Sequence, residues 1–217
     1  MPLADIDGVV FDMGGVLTVD PYAALRDYAV TLQIPEDTLV GHVRGSRFAE
    51  VETGALSMRD FLKFACRGVE GRFGVRVDIR LLAEALAAGQ QVRPEMVELI
   101  GELVSNGVKV GLLTNNAKEA RAWWASGVLP LEFFTAVVDS SDVGVRKPDP
   151  RIFVITADRL GCPPERVMFF DDTPENVAGA QAVGMIAELF TDPESCRRTC
   201  TGLGLIESSG ATGQQKS

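Results

Sequence analysis

At 217 residues, with 46% hydrophobic and 24% charged side chains, the chain has the composition of an ordinary folded protein, long enough for one domain plus a large insertion, so disorder is excluded for all but the ends. A formal net charge of -9 leaves no basic excess to neutralise a phosphate backbone, which excludes nucleic acid as a partner and favours small molecules. No apolar run approaches the roughly 18 residues that cross a bilayer, and the first dozen residues carry Asp5, Asp7 and Asp12 without a basic residue, unlike a signal peptide; a cytoplasmic protein with no membrane partner is expected.

The first element is the branched apolar run Gly8 to Phe11, which reads as a buried strand. It is flanked by two similar patterns, Asp5-Ile6-Asp7-Gly8 before it and Asp12-Met13-Gly14-Gly15 after it. An aspartate presented at a strand tip must follow the strand, so Asp12 is the candidate. Asp5 and Asp7 lie roughly 16 to 24 Å away at the other end, as solvated charges. About 95 residues then pass before the next strand pattern, far more than one crossover needs. Asp20-Pro21 starts a helical pattern with Leu25, Tyr28, Ala29 and Leu32 on one face, Ser57 to Asp60 has capping-box spacing, and Asp78 precedes Leu81, Leu82, Ala85 and Leu86. A small all-helical domain is expected over 16–91, with hinges near Leu17 to Asp20 and Gln90 to Pro94.

From there helix and strand patterns alternate: Pro94 to Ser105, Val108 to Leu113, Lys118 to Ser126, Ala136 to Val138, Pro150 to Leu160, Val167 to Phe170, Pro174 to Val183 and Met185 to Leu189. This order implies an α/β fold, a doubly wound parallel five-stranded sheet built from 1–15 and 92–205, with a disordered tail over 206–217. Trp123 and Trp124 are read as packing residues. Cys66, Cys162, Cys196 and Cys200 form no CxxC pair and are expected as free thiols.

Ligands in such sheets bind beyond the carboxyl ends of the strands, where strand order reverses. The polar residues placed there are Asp12, Thr114-Asn115-Asn116, Lys147 and Asp171-Asp172. Asp12 with Asp171 and Asp172 would crowd three carboxylates into one crevice, which demands a cation. With hard oxygen ligands and no histidine or cysteine, Mg2+ fits best. Lys147 offers a point charge to an anion, and Thr114 and Asn115 offer hydrogen-bond donors.

In order, FDMGGVLT, LLTNN, RKPDPRIF and FFDDTPENV resemble the motifs of the haloacid dehalogenase superfamily, in its branch with a helical cap after the first motif. The resemblance implies that Asp12 attacks phosphorus to form an aspartyl-phosphate, that Thr114 binds and Lys147 neutralises the phosphoryl group, and that Mg2+ is held by Asp12, the Gly14 carbonyl and Asp172, with Asp171 assisting. The departure is Gly14, where most phosphatases of the superfamily carry an acid-base aspartate. Three functions compete: a Mg2+-dependent phosphatase of a small phosphorylated metabolite such as a sugar phosphate, with His42 or Glu52 assisting; a 2-haloacid dehalogenase; and a non-catalytic binding protein. Arg44 and Arg47 in the cap are expected to grip a second part of the substrate. The protein is expected as a monomer or homodimer.

Overall fold

The computed structural model describes residues 5–88, 91–121 and 129–207. Five parallel strands, β1 (Gly8–Phe11), β2 (Lys109–Thr114), β3 (Ala136–Asp139), β4 (Val167–Asp171) and β5 (Ile186–Leu189), lie in the order β3-β2-β1-β4-β5. The chain therefore winds outward from β1 through β2 to β3, then returns to the other side of β1, which puts the reversal of strand order between β1 and β4. In register, Phe11 stands beside Leu112 on one side and Phe170 on the other. The residues that follow, Asp12, Leu113 and Asp171, consequently emerge at one level of the sheet.

Successive side chains of a strand point to opposite faces, and both faces are covered. Val9 and Phe11 join an apolar cluster with Met96 and Leu99 of α6 (Pro94–Ser105) and Cys196 and Cys200 of α9 (Pro193–Gly202). Val10 joins the opposite cluster with Phe153 of α7 (Pro150–Leu160) and Ala180 of α8 (Pro174–Ala182). β1 and β4 are buried throughout, as continuous apolar runs require, whereas β5 is an edge strand and only half-buried. Ile206, assigned by sequence to the tail, is packed in the first cluster; residues 208–217 and the two tryptophans lie outside the described residues. The four cysteines are free and buried, and among the described residues no helix is long and apolar enough to cross a membrane.

Between β1 and α6 the chain forms α1 (Ala23–Thr31), α2 (Asp37–Val43), α3 (Ser46–Glu52), α4 (Met58–Phe73) and α5 (Ile79–Ala88). Local signals set their starts: the Ser57 hydroxyl accepts the Asp60 amide at 3.2 Å, and the Asp78 carboxylate accepts the Arg80 amide at 2.8 Å. Leu25, Leu39, Val51, Phe61, Val69 and Leu82 bury one another in a separate apolar cluster. The two strands of chain entering and leaving this helical unit run side by side, with an antiparallel bridge between Thr18 and Val92 and backbone hydrogen bonds from Val19 N to Gln91 O (2.8 Å) and Arg93 N to Leu17 O (2.8 Å).

Helix α8 packs on the loop that carries Lys147. A methyl group on Gly179 would sit 2.7 Å from the Pro148 carbonyl oxygen and 2.8 Å from the Phe153 ring. Gly179→Ala is expected to destabilise the fold by about 1–3 kcal/mol, although alanine is the better helix former. Gly71→Ala, in open space on α4, should instead stabilise by about 0.5–1 kcal/mol. Urea unfolding of the two variants checks the contrast.

Candidate active site

Asp12 is fixed by its backbone, whose amide donates to Phe170 O at 2.9 Å, and its side chain is almost fully buried. After it the chain makes a wide helical turn, Met13–Leu17, closed by the Thr18 hydroxyl donating to Met13 O. Gly15 is required in that turn. Its φ is +83°, and a Cβ there would lie 2.4 Å from Asp172 Oδ2, so any other residue would displace a carboxylate of the site. Gly14 is different: its φ and ψ suit any residue, and a Cβ would meet nothing closer than Pro21 at 3.8 Å.

Lys147 occupies the centre of the site and is 1% exposed. Its ammonium donates to Asp12 Oδ1 (2.6 Å), Asp171 Oδ2 (2.7 Å) and Leu113 O (3.0 Å), which uses all three donors. Asn115 holds the lysine backbone from both sides, its carboxamide donating to Lys147 O at 3.0 Å and accepting from Lys147 N at 2.8 Å. The Asn115 side chain, expected to contact substrate, is thus committed to positioning Lys147. Asp171 is fully buried, and its other oxygen accepts from Thr173 N and Asn176 Nδ2, both at 2.9 Å.

Asp12, Asp171 and Asp172 each offer an oxygen within 4.8 Å of the others. One ammonium against three carboxylates leaves two negative charges. The consequence is visible at Asp12, whose pKa is pushed up to about 7: burial contributes most, Lys147 opposes it, and Asp171 and Asp172 add to it. Asp172, at the solvent edge, is raised by partial burial and by Asp171. Burial pulls the Lys147 ammonium down, but Asp12 and Asp171 outweigh that and hold it above its ordinary value. Hard oxygens, the charge deficit, and a turn held against Asp172 by a glycine together fit a hard divalent cation.

Of the other expected residues, Thr114 lies buried at the tip of β2 next to Asp139 in register. Arg44 stacks on the Tyr22 ring at 5.1 Å, and its charge lowers the pKa of Asp172, so the cap brings it towards the crevice. Arg47 is engaged inside the cap, with Glu50 (2.8 Å) and the Phe64 ring (5.5 Å). His42 packs edge-on to Phe64 beside Gly68, and burial and Arg72 lower its pKa. Glu52 is nearly buried and pairs with Arg146 at 2.7 Å; burial raises its pKa, with Arg146 and Lys147 opposing. Asn176, Ser140 and Arg146 escaped the sequence reading. Ser140 follows a strand tip and was open to the rule that found Thr114, whereas Asn176 lay within the motif FFDDTPENV without being singled out.

The model of the haloacid dehalogenase-like hydrolase family matches residues 6–184. The chain belongs to that family. A phosphatase of Mycobacterium tuberculosis (strain CDC 1551 / Oshkosh), MT3486, is 33% identical over 214 residues, covering 93% of this chain and 96% of its own. The mouse acyl-CoA dehydrogenase family member 10 is 29% identical over 198 residues, 86% of this chain, but the chain spans 18% of the length of that protein. Among solved structures, a haloacid dehalogenase family enzyme of Bacteroides thetaiotaomicron in complex with magnesium and inorganic phosphate superposes with a TM-score of 0.65 at 21% identity, covering 86% of this chain and 94% of its own. This last likeness shows the fold of the hydrolase.

The raised Asp12 gives a pH signature. Between the ordinary value of 3.8 and about 7, the metal-free folded state binds more protons than the unfolded chain, so its stability falls as pH rises through that window. Mg2+ is expected to raise the melting temperature more at pH 8 than at pH 5. Thermal melts with and without the metal at both pH values check the sign.

Proposed function

We propose that this hydrolase is a magnesium-dependent phosphatase of a small phosphorylated metabolite, acting through an aspartyl-phosphate on Asp12. The observation that carries the reading is the convergence of three carboxylates on one crevice around a buried lysine. The phosphatase relative and the magnesium and phosphate bound by the structural neighbour support it.

Asp12, Asp172 and the Gly14 carbonyl, with Asp171 assisting, would hold magnesium, which would supply charge stabilisation to the phosphoryl oxygens. Lys147 fixes one Asp12 oxygen, which leaves the other free to attack phosphorus. As that oxygen forms its bond, the ester P–O bond breaks and the leaving oxygen departs; water then cleaves the acyl phosphate and restores the carboxylate. Thr114 donates to the phosphoryl group from the tip of β2. Arg44 is the cap residue suited to a second polar or anionic part of the substrate. With no side chain at Gly14, the hydrolase forgoes acid-base help worth about 10² to 10⁴ in rate, which favours substrates whose leaving oxygen needs little protonation, such as an anomeric sugar phosphate. A dehalogenase reading accounts for Gly14 but leaves Asp172 without a purpose, since Asp171 already pairs with Lys147 and displacing halide from an anionic acid gains nothing from added negative charge.

Two variants test this. Asp12→Asn is expected to reduce phosphate release from p-nitrophenyl phosphate and a panel of sugar phosphates by at least about 10³-fold in the presence of Mg2+. Equal turnover by both proteins, or halide release from a 2-haloacid with no phosphate release from any ester, would refute the proposal. Gly14→Asp, for which the structure has room, is expected to raise turnover of alkyl phosphates by about 10-fold or more; steady-state kinetics on an alkyl ester shows whether protonation limits the rate.

A further inference from the structure

We propose that Glu52 is a positioning residue, through which the seated cap holds in register the two loops that bind the phosphoryl group. The role rests on the phosphatase reading above, but its geometry does not. Glu52 ends α3, where a helix leaves carbonyl groups without intrahelical partners. That carbonyl accepts the Ser140 hydroxyl at 2.5 Å, and the same hydroxyl oxygen accepts the Asn116 amide at 3.0 Å. Ser140 is fully buried, so the chain Asn116 N–H to Ser140 to Glu52 ties the cap to the loop after Thr114.

The Glu52 side chain makes the second tie. The side chain is 11% exposed, and its carboxylate lies 2.7 Å from Nε of Arg146, the residue immediately before Lys147. Asn115 links this second loop to the first through its paired bonds to Lys147. One cap residue therefore touches the second loop twice, at Ser140 by main chain and at Arg146 by side chain, and reaches the first loop through the Ser140 hydroxyl. The close approach depends on the turn just beyond it: Gly54 has φ +76°, and a Cβ there would lie 3.3 Å from the Ser141 carbonyl oxygen.

An ordinary surface ion pair contributes little and stays local. Among the described residues, the cap's other ion pairs stay within it: Arg26 with Asp20 and Asp37, Arg47 with Glu50, Lys63 with Asp60, and Arg80 with Glu84. Glu52 with Arg146 crosses to the sheet domain beside the catalytic lysine. Lifting the cap would strip Arg146 of its carboxylate and Ser140 of its acceptor in one movement, loosening both loops. Seating the cap restores them together.

The test is a double-mutant cycle of Glu52→Ala and Arg146→Ala, read by kcat/KM on p-nitrophenyl phosphate with Mg2+ and by hydrogen exchange over residues 114–117 and 140–147. Each single variant is expected to lower kcat/KM about tenfold and the double variant no further than the worse single, as coupled groups do. Both variants keep the Glu52 main-chain carbonyl, so exchange should accelerate over 140–147 and, through the Asn115 bonds to Lys147, over 114–117, while the melting temperature moves by no more than about 4 °C. Additive losses, or exchange in the two loops unchanged from wild type, would overturn the proposal. A wild type without turnover would instead defeat the phosphatase reading, and loop exchange alone then decides the role of Glu52. Should Glu52→Ala fold poorly, Glu52→Gln, which keeps the shape and a neutral acceptor, takes its place in the cycle, and Arg146→Gln does the same for Arg146→Ala.

Discussion

The site depends on a lysine ammonium held in the protein interior. Burying an unpaired ammonium costs several kcal/mol, and here the cost is met by two carboxylates and a carbonyl, one on each donor. Those acceptors come from β1, β2 and β4, so Lys147 fastens the tips of three strands at the place where strand order reverses. Stability and chemistry draw on the same contacts. The lysine also leaves one Asp12 oxygen uncommitted and the local charge uncompensated, which is the state a nucleophilic carboxylate beside a divalent cation requires.

The two adjacent glycines after Asp12 show how unequal the demands of one turn can be. Gly15 is dictated by space and backbone: its left-handed conformation and the 2.4 Å approach of Asp172 admit no side chain. Gly14 is dictated by neither. A side chain there would meet nothing closer than Pro21 at 3.8 Å, so neither space nor backbone geometry calls for a glycine.

Much of this was legible in the chain, and the reasons differ by element. β1 and α6 were placed to the residue because a fully buried parallel strand is a continuous apolar run and because proline marks a helix's first turn. The convergence of Asp12, Lys147 and Asp171 followed from one topological rule, polar residues just past apolar runs. What the sequence concealed was the direction of side chains. Asn115 looked like a ligand donor and is a clamp on Lys147, while Arg44 and Arg47, three positions apart, face different partners because α2 ends at Val43, just before Arg44, and α3 begins at Ser46. Glu52 and Ser140, 88 residues apart in the chain, carried no local mark of their bond, since such contacts exist only once the helical unit is seated on the sheet.

The bridge between Thr18 and Val92 separates the sheet from the helical unit. Because departure and return meet as neighbouring extended segments, the sheet experiences the whole excursion of α1 to α5 as though it were a short hairpin. Replacing everything beyond that bridge with a different excursion leaves the alignment of Phe11 with Leu112 and Phe170 untouched. The pairing of the strands is thus insulated from the helical unit, whereas the loops beyond the strand tips, which Glu52 reaches through Ser140 and Arg146, are not.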